Sequence, residues 1–136
     1  MRIIALSGAL LGGCDPIEPM PSDLPCREAG YAIAARTTQC TGDAALGQAR
    51  YERFRAQYAC ILWEADDPRL AESTAISGGG GIDTGGTPHA ADLWSCAFTL
   101  RNVPCELEPD LGDDIGAWMD LDPGCSWVAK PKGGGR

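Results

Sequence analysis

The chain has 136 residues, a formal net charge of -8, and 19 acidic against 11 basic side chains. That length accommodates one domain with a modest core, and a 44% hydrophobic content with four tryptophans excludes a wholly disordered chain. The acidic balance excludes nonspecific attachment to nucleic acid or to an anionic bilayer surface, because both need clustered Lys and Arg. The nearest thing to such a cluster, Arg50, Arg53 and Arg55, shares its segment with Glu52 and reads as a solvated helix face.

Residues 1–13 differ from everything that follows. Arg2 is a minimal basic start, Ile3 to Leu11 is almost continuously apolar, and Gly12 and Gly13 are small enough for a processing enzyme. The apolar run is too short for a membrane span, which takes about 20 residues. A short buried strand is the alternative, but the sequel DPIEPMPSDLP, rich in proline and acid, reads as an extended tether over residues 14–24. Leu11, Gly12, Gly13 and Cys14 together resemble the lipobox of bacterial lipoproteins, in which a peptidase cuts before a cysteine whose sulfur already carries a diacylglyceryl group. The resemblance covers about the first fourteen residues, although the basic region is shorter than usual. It implies a signal peptide over residues 1–13 and lipidation at Cys14. It further implies a lipid bilayer as partner through the acylated N-terminus, and a place in the bacterial cell envelope facing the periplasm or the exterior.

With Cys14 committed to lipid, Cys26, Cys40, Cys60, Cys96, Cys105 and Cys125 remain. An even number of cysteines in a small exported domain predicts a disulfide framework. Buried reduced thiols would be the reading for a cytosolic chain. Finger-type or ribbon-type zinc spacing is absent, since there is no CxxC and His89 is the only histidine, so no metal and no cofactor is expected.

The folded part is predicted to be all-α: about four helices within residues 25–129, interrupted by a Gly-rich loop at 77–88. Ser22 or Asp23 is placed to cap a first helix over about residues 25–39, with Pro25 in its first turn. CTGD provides a break at Gly42, and Thr41 or Asp43 the next cap. Apolar residues Leu46, Tyr51, Phe54, Tyr58, Ile61 and Leu62 then recur at helical spacing, which carries a second helix towards Leu62, with Gly47 a weak point near its start. The two helices form a hairpin around Gly42, whose open end brings Cys26 close to Cys60.

The loop ISGGGGIDTGGTPH has neither the Lys and hydroxyl pattern of a phosphate-binding loop nor a second copy of its Asp83-Thr84-Gly85 triplet, so it reads as a surface linker. Beyond it, Asp92 to Leu100 allows a third helix, while Cys96 to Val103 would equally suit a short strand. Leu111, Ile115, Trp118, Met119 and Leu121 give a fourth helix over about residues 110–121, and residues 130–136 read as a frayed tail. Two helical pairs, each ending in a cysteine, suggest Cys96 with Cys125 and leave Cys40 with Cys105, one of fifteen connectivities open to six cysteines. CTGD, ARYERF and CAFTLRNVPC also resemble segments of small cysteine-rich lipoproteins of myxobacterial type, a group that brings no established activity.

Two functions follow from these readings. One is a lipid-anchored envelope module with a binding or structural role, taking an envelope protein or a cell-surface component as partner and no nucleic acid. Trp94, Trp118 and Trp127 are its candidate interaction residues, with a place in the core as the competing assignment. The other is a small envelope hydrolase using the acidic residues near 106–122, among them Asp110, Asp113, Asp114, Asp120 and Asp122. No catalytic residue is assigned on the sequence.

Overall fold

A computed structural model describes residues 22–64, 67–71 and 90–134. The signal, Cys14, most of the tether, and the Gly-rich loop with Asp83 and His89 lie outside the described residues. The described chain is an all-α domain with helices α1 (Leu24–Thr41), α2 (Ala44–Gln57), α3 (Ala90–Arg101), α4 (Glu108–Leu111) and α5 (Ile115–Met119). Strands β1 (Tyr58–Cys60) and β2 (Ala129–Pro131) pair antiparallel, and 3-10 turns occupy Pro68–Ala71, Pro123–Trp127 and Lys132–Gly134. No described helix is long and apolar enough to cross a membrane.

The α1–α2 hairpin follows from local chemistry. Ser22 Oγ accepts from the Leu24 amide at 3.2 Å, and Pro25 sits in the first turn, where its missing N–H has no helical partner to lose. Gly42 ends α1 at φ 75°, a left-handed cap that a side chain would strain, and gives its amide to Thr38 O at 2.8 Å. Asp43 Oδ1 then accepts from the Leu46 amide at 3.0 Å and starts α2. Gly47, a weak point by propensity, has a packing reason. A Cβ there would lie 2.4 Å from Thr38 Oγ1 and 2.6 Å from Ala34 O, so the glycine is what lets α1 and α2 approach.

α3 lies against the other side of α1, and the 3-10 turn at Pro123–Trp127 closes over α3. The core is filled by Ala29 and Ile33 from α1, Phe54 from α2, Leu93, Ala97 and Leu100 from α3, Val103, and Ile115 with Trp118 from α5. The segment at 90–101 is thus a helix and not the strand alternative.

Four expectations need correction. The second helix stops at Gln57 and the chain continues extended, with Tyr58 at φ -123°, so Leu62 is 60% exposed instead of extending an apolar stripe. The predicted fourth helix is split by Gly112, whose φ of 53° ends α4 before Asp114 restarts α5 by accepting from the Ala117 amide at 3.1 Å. Residues 130–134 are not a frayed tail. Lys130 pairs with Ala59 and Pro131 with Tyr58, and Ser22, assigned to the tether, forms a two-way bridge with Trp63 at 2.6 and 2.8 Å.

Candidate functional site

Three disulfides organise the domain: Cys26–Cys60, Cys40–Cys105 and Cys96–Cys125, with Cα separations of 5.5, 5.2 and 4.7 Å. The first ties the start of α1 to β1, the second ties the end of α1 to the turn before α4, and the third ties α3 to the Pro123–Trp127 turn. These are the three pairs suggested by the two helical halves. Cys26, Cys96 and Cys125 are buried, while Cys105 is exposed.

The acidic residues near 106–122 do not converge on a reaction centre. Glu108, 5% exposed, forms an ion pair with Arg50. Asp113 accepts from Arg50 Nε at 3.1 Å, and Asp114 caps α5. Asp122 is buried, with Oδ1 accepting from the Gly124 amide at 3.2 Å and Oδ2 facing the Thr99 hydroxyl at 3.3 Å. Asp110 and Asp120 are exposed. Among the described residues no group of three His, Cys, Asp or Glu is placed to hold a metal.

Arg50 overturns its assignment to a solvated face. Arg53 and Arg55 are exposed, but Arg50 is 6% exposed and reaches across the core. Its Nη1 donates to Glu108 and to Thr37 Oγ1 at 3.2 Å, and its guanidinium carbon lies 6.0 Å from the Trp118 ring centre. A charge this far from water is held only because carboxylate, hydroxyl and ring surround it. The cluster joins α1, α2, α4 and α5 and is structural.

Two of the three tryptophans take the competing core assignment. Trp118 is fully buried, with Nε1 donating to Gly112 O at 3.0 Å, and Trp94 is 4% exposed. Both are core residues. Trp127 is half-buried and packs against the core.

The surface feature that sequence reasoning missed is a cleft of about 470 Å³ at the open end of the α1–α2 hairpin. Its walls come from Asp23 and Arg27 of the α1 start, Tyr51, Phe54 and Arg55 of α2, Tyr58 of β1, and Lys132 beyond β2. Phe54 and Tyr58 stack with ring centres 5.6 Å apart and form its buried floor. Arg27 gives its Nε–H to Asp23 Oδ1 at 2.7 Å, and that hydrogen bond, followed by the carboxylate charge, raises the guanidinium pKa above its ordinary value. Arg55 lies over the Tyr51 ring at 5.9 Å, and Lys132 Nζ donates to Arg55 O at 2.9 Å. Tyr31 stacks on Tyr51 at 5.2 Å at the edge of this face, so all three tyrosines of the chain gather here. Burial, and next a hydrogen bond with Tyr31, pushes the Tyr51 phenol above its ordinary 10.0.

No protein-family model, no curated protein and no solved structure matches this chain. The site therefore stands on its own geometry. A second hollow of about 270 Å³ is lined by Tyr58, Met119, Asp120, Cys125, Ser126, Ala129 and Pro131. Among the described residues, each of these two hollows presents a single carboxylate, Asp23 in the larger and Asp120 in the smaller.

A signal for the larger cleft did exist in the sequence. Arg27 and Tyr31 are four apart, as are Tyr51 and Arg55, so each pair shares a helix face. Folding the chain about Gly42 brings the two pairs opposite one another. Lys132 was not findable in this way, because its approach depends on β1 pairing with β2.

Proposed function

We propose that the chain is a lipid-anchored cell-envelope module with a binding or structural role, tethered to a bilayer through acylated Cys14. The observation that supports this reading most is the cysteine pairing. The six cysteines from Cys26 onward are all consumed in three bridges within the domain, leaving Cys14 alone upstream of it. A disulfide-stapled domain suits an oxidising compartment, and an isolated cysteine after LLGG suits a lipid acceptor. Cys14 lies eight residues before Ser22 (22 - 14), so an anchor there holds the domain within about 27 Å of extended chain from the membrane.

The hydrolase alternative gains no support from the described carboxylates. Glycoside cleavage needs two of them facing one cleft, whereas Glu108, Asp113, Asp114 and Asp122 are engaged in ion pairing or capping. Fractionation of the expressing bacterium tests the proposal. The unaltered chain sediments with membranes and partitions into detergent, and Cys14→Ser moves it to the soluble fraction; an unchanged distribution refutes lipid anchoring.

A further inference from the structure

We infer that the cleft between Arg27, Arg55 and Lys132 is a binding site for the phosphate group of a phosphate monoester. Phosphate binding at this cleft is independent of the acylation of Cys14, and only the bilayer as one source of the phosphate rests on that reading.

Charge is the first argument. The chain carries -8 overall, yet among the described residues the cleft gathers three cations against the single carboxylate of Asp23, a local balance of +2. A phosphate monoester brings about -1.5 to -2 at neutral pH, which matches that balance better than a lone carboxylate does. Helix electrostatics do not account for the arrangement. Lys132 and Arg55 stand at the C-terminal end of α2, where cations are favoured, but Arg27 stands in the first turn of α1, where a cation opposes the helix field. At that position Arg27 is held by its ion pair with Asp23 at 2.7 Å, which fixes it on the same cleft as the other two.

Availability is the second argument. Arg55 makes no ion pair among the described residues, and its guanidinium lies over the Tyr51 ring, which orients it without consuming its donors. Arg27 is already steered by Asp23 at 2.7 Å. Guanidinium forks bind phosphate oxygens in pairs, and the apolar floor of Phe54 and Tyr58 limits solvent screening from below. A volume of about 470 Å³ suits a small ligand or one lipid headgroup. Because the cleft adjoins Ser22, where the segment from Cys14 enters the domain, the phosphate has two available sources: a soluble ester or a headgroup of the nearby bilayer.

Calorimetric titration of the full disulfide-bonded chain carrying Cys14→Ser, at low ionic strength, tests the site with inorganic phosphate, glycerol 3-phosphate and acetate as probes. Saturable phosphate and glycerol phosphate binding is expected, with Arg27→Gln and Arg55→Gln each weakening it by about tenfold. Arg53→Gln makes the same charge change on an exposed α2 residue outside the cleft, and it leaves affinity within about twofold. Absence of saturable phosphate binding overturns the inference, as does acetate binding as tight as phosphate binding or an equal loss in Arg53→Gln. Flotation with phosphatidylcholine vesicles, with and without phosphatidate, separates the sources. Phosphatidate-dependent flotation lost in Arg55→Gln assigns the headgroup, and soluble-probe binding without such flotation assigns the soluble ester.

Discussion

Replacing Glu108 with Gln removes the charge that balances Arg50 inside the core while nearly preserving volume. Both side chains of this pair are 7% exposed, and breaking a buried ion pair from one side costs about 3–5 kcal/mol because the remaining charge stays out of water. Asp113 still faces Arg50 Nε at 3.1 Å, but its side chain is 58% exposed and water screens it. The loss is therefore placed at the lower end, about 3 kcal/mol. Asp113→Asn, which leaves Glu108 in place, costs about 1 kcal/mol or less. The double change Arg50→Met with Glu108→Leu removes both buried charges, leaves the buried Thr37 hydroxyl without its Arg50 partner and returns the exposed Asp113 carboxylate to water, at about 1–2 kcal/mol, so it is more stable than Glu108→Gln alone. Urea unfolding with the disulfides intact, followed by tryptophan fluorescence, measures all three variants. A loss below about 0.5 kcal/mol in Glu108→Gln, or equal losses in Glu108→Gln and Asp113→Asn, refutes the argument that burial governs the cluster.

Further outcomes follow from single features. Replacing Cys40 and Cys105 together with Ser removes a crosslink across 65 residues of chain and lowers unfolding free energy by about 4 kcal/mol on the chain-entropy estimate. A change under about 1 kcal/mol in the urea midpoint analysis contradicts a stapling role for that bridge. Gly47→Ala forces a Cβ against Ala34 O at 2.6 Å, so it costs about 1–3 kcal/mol despite the better helix propensity of alanine. A more stable Gly47→Ala protein would show that α1 and α2 do not approach so closely. The Tyr51 phenol titrates above 10.0 by NMR, since burial favours its neutral form. Its raised folded pKa contributes stability that is fully present below the unfolded value near 10.0 and is lost as pH rises through the folded value. A Tyr51 midpoint at or below 10.0 would contradict its burial.

The hairpin was legible because its signals are local: helical spacing, Pro25 at a start, Gly42 at a turn and Asp43 as a cap. Disulfide pairing was legible from the same antiparallel geometry, which brings Cys26 towards Cys60 once Gly42 is the turn. What local spacing does not encode is the partner across the fold. Tyr58, Ile61 and Leu62 fit a helical stripe, but the segment is extended by pairing with Ala129–Pro131, and the glycines that follow suggested only a frayed end. Arg50 looked solvated because Glu108, its counter-charge, lies 58 residues away. In the second half, Gly112 sits inside an apolar periodicity and its positive φ cuts the expected helix in two. The cleft was partly legible through its two spaced Arg–Tyr pairs, while its third cation was placed by the same unforeseen strand.

Intact mass of the protein purified from its own membranes, read before and after alkylation without reduction, tests the central claim most directly. The account predicts a chain beginning at Cys14, carrying acyl mass, with the six cysteines from Cys26 to Cys125 protected from alkylation. A chain that retains Met1 without added lipid, or that alkylates at all of those six cysteines, would contradict it.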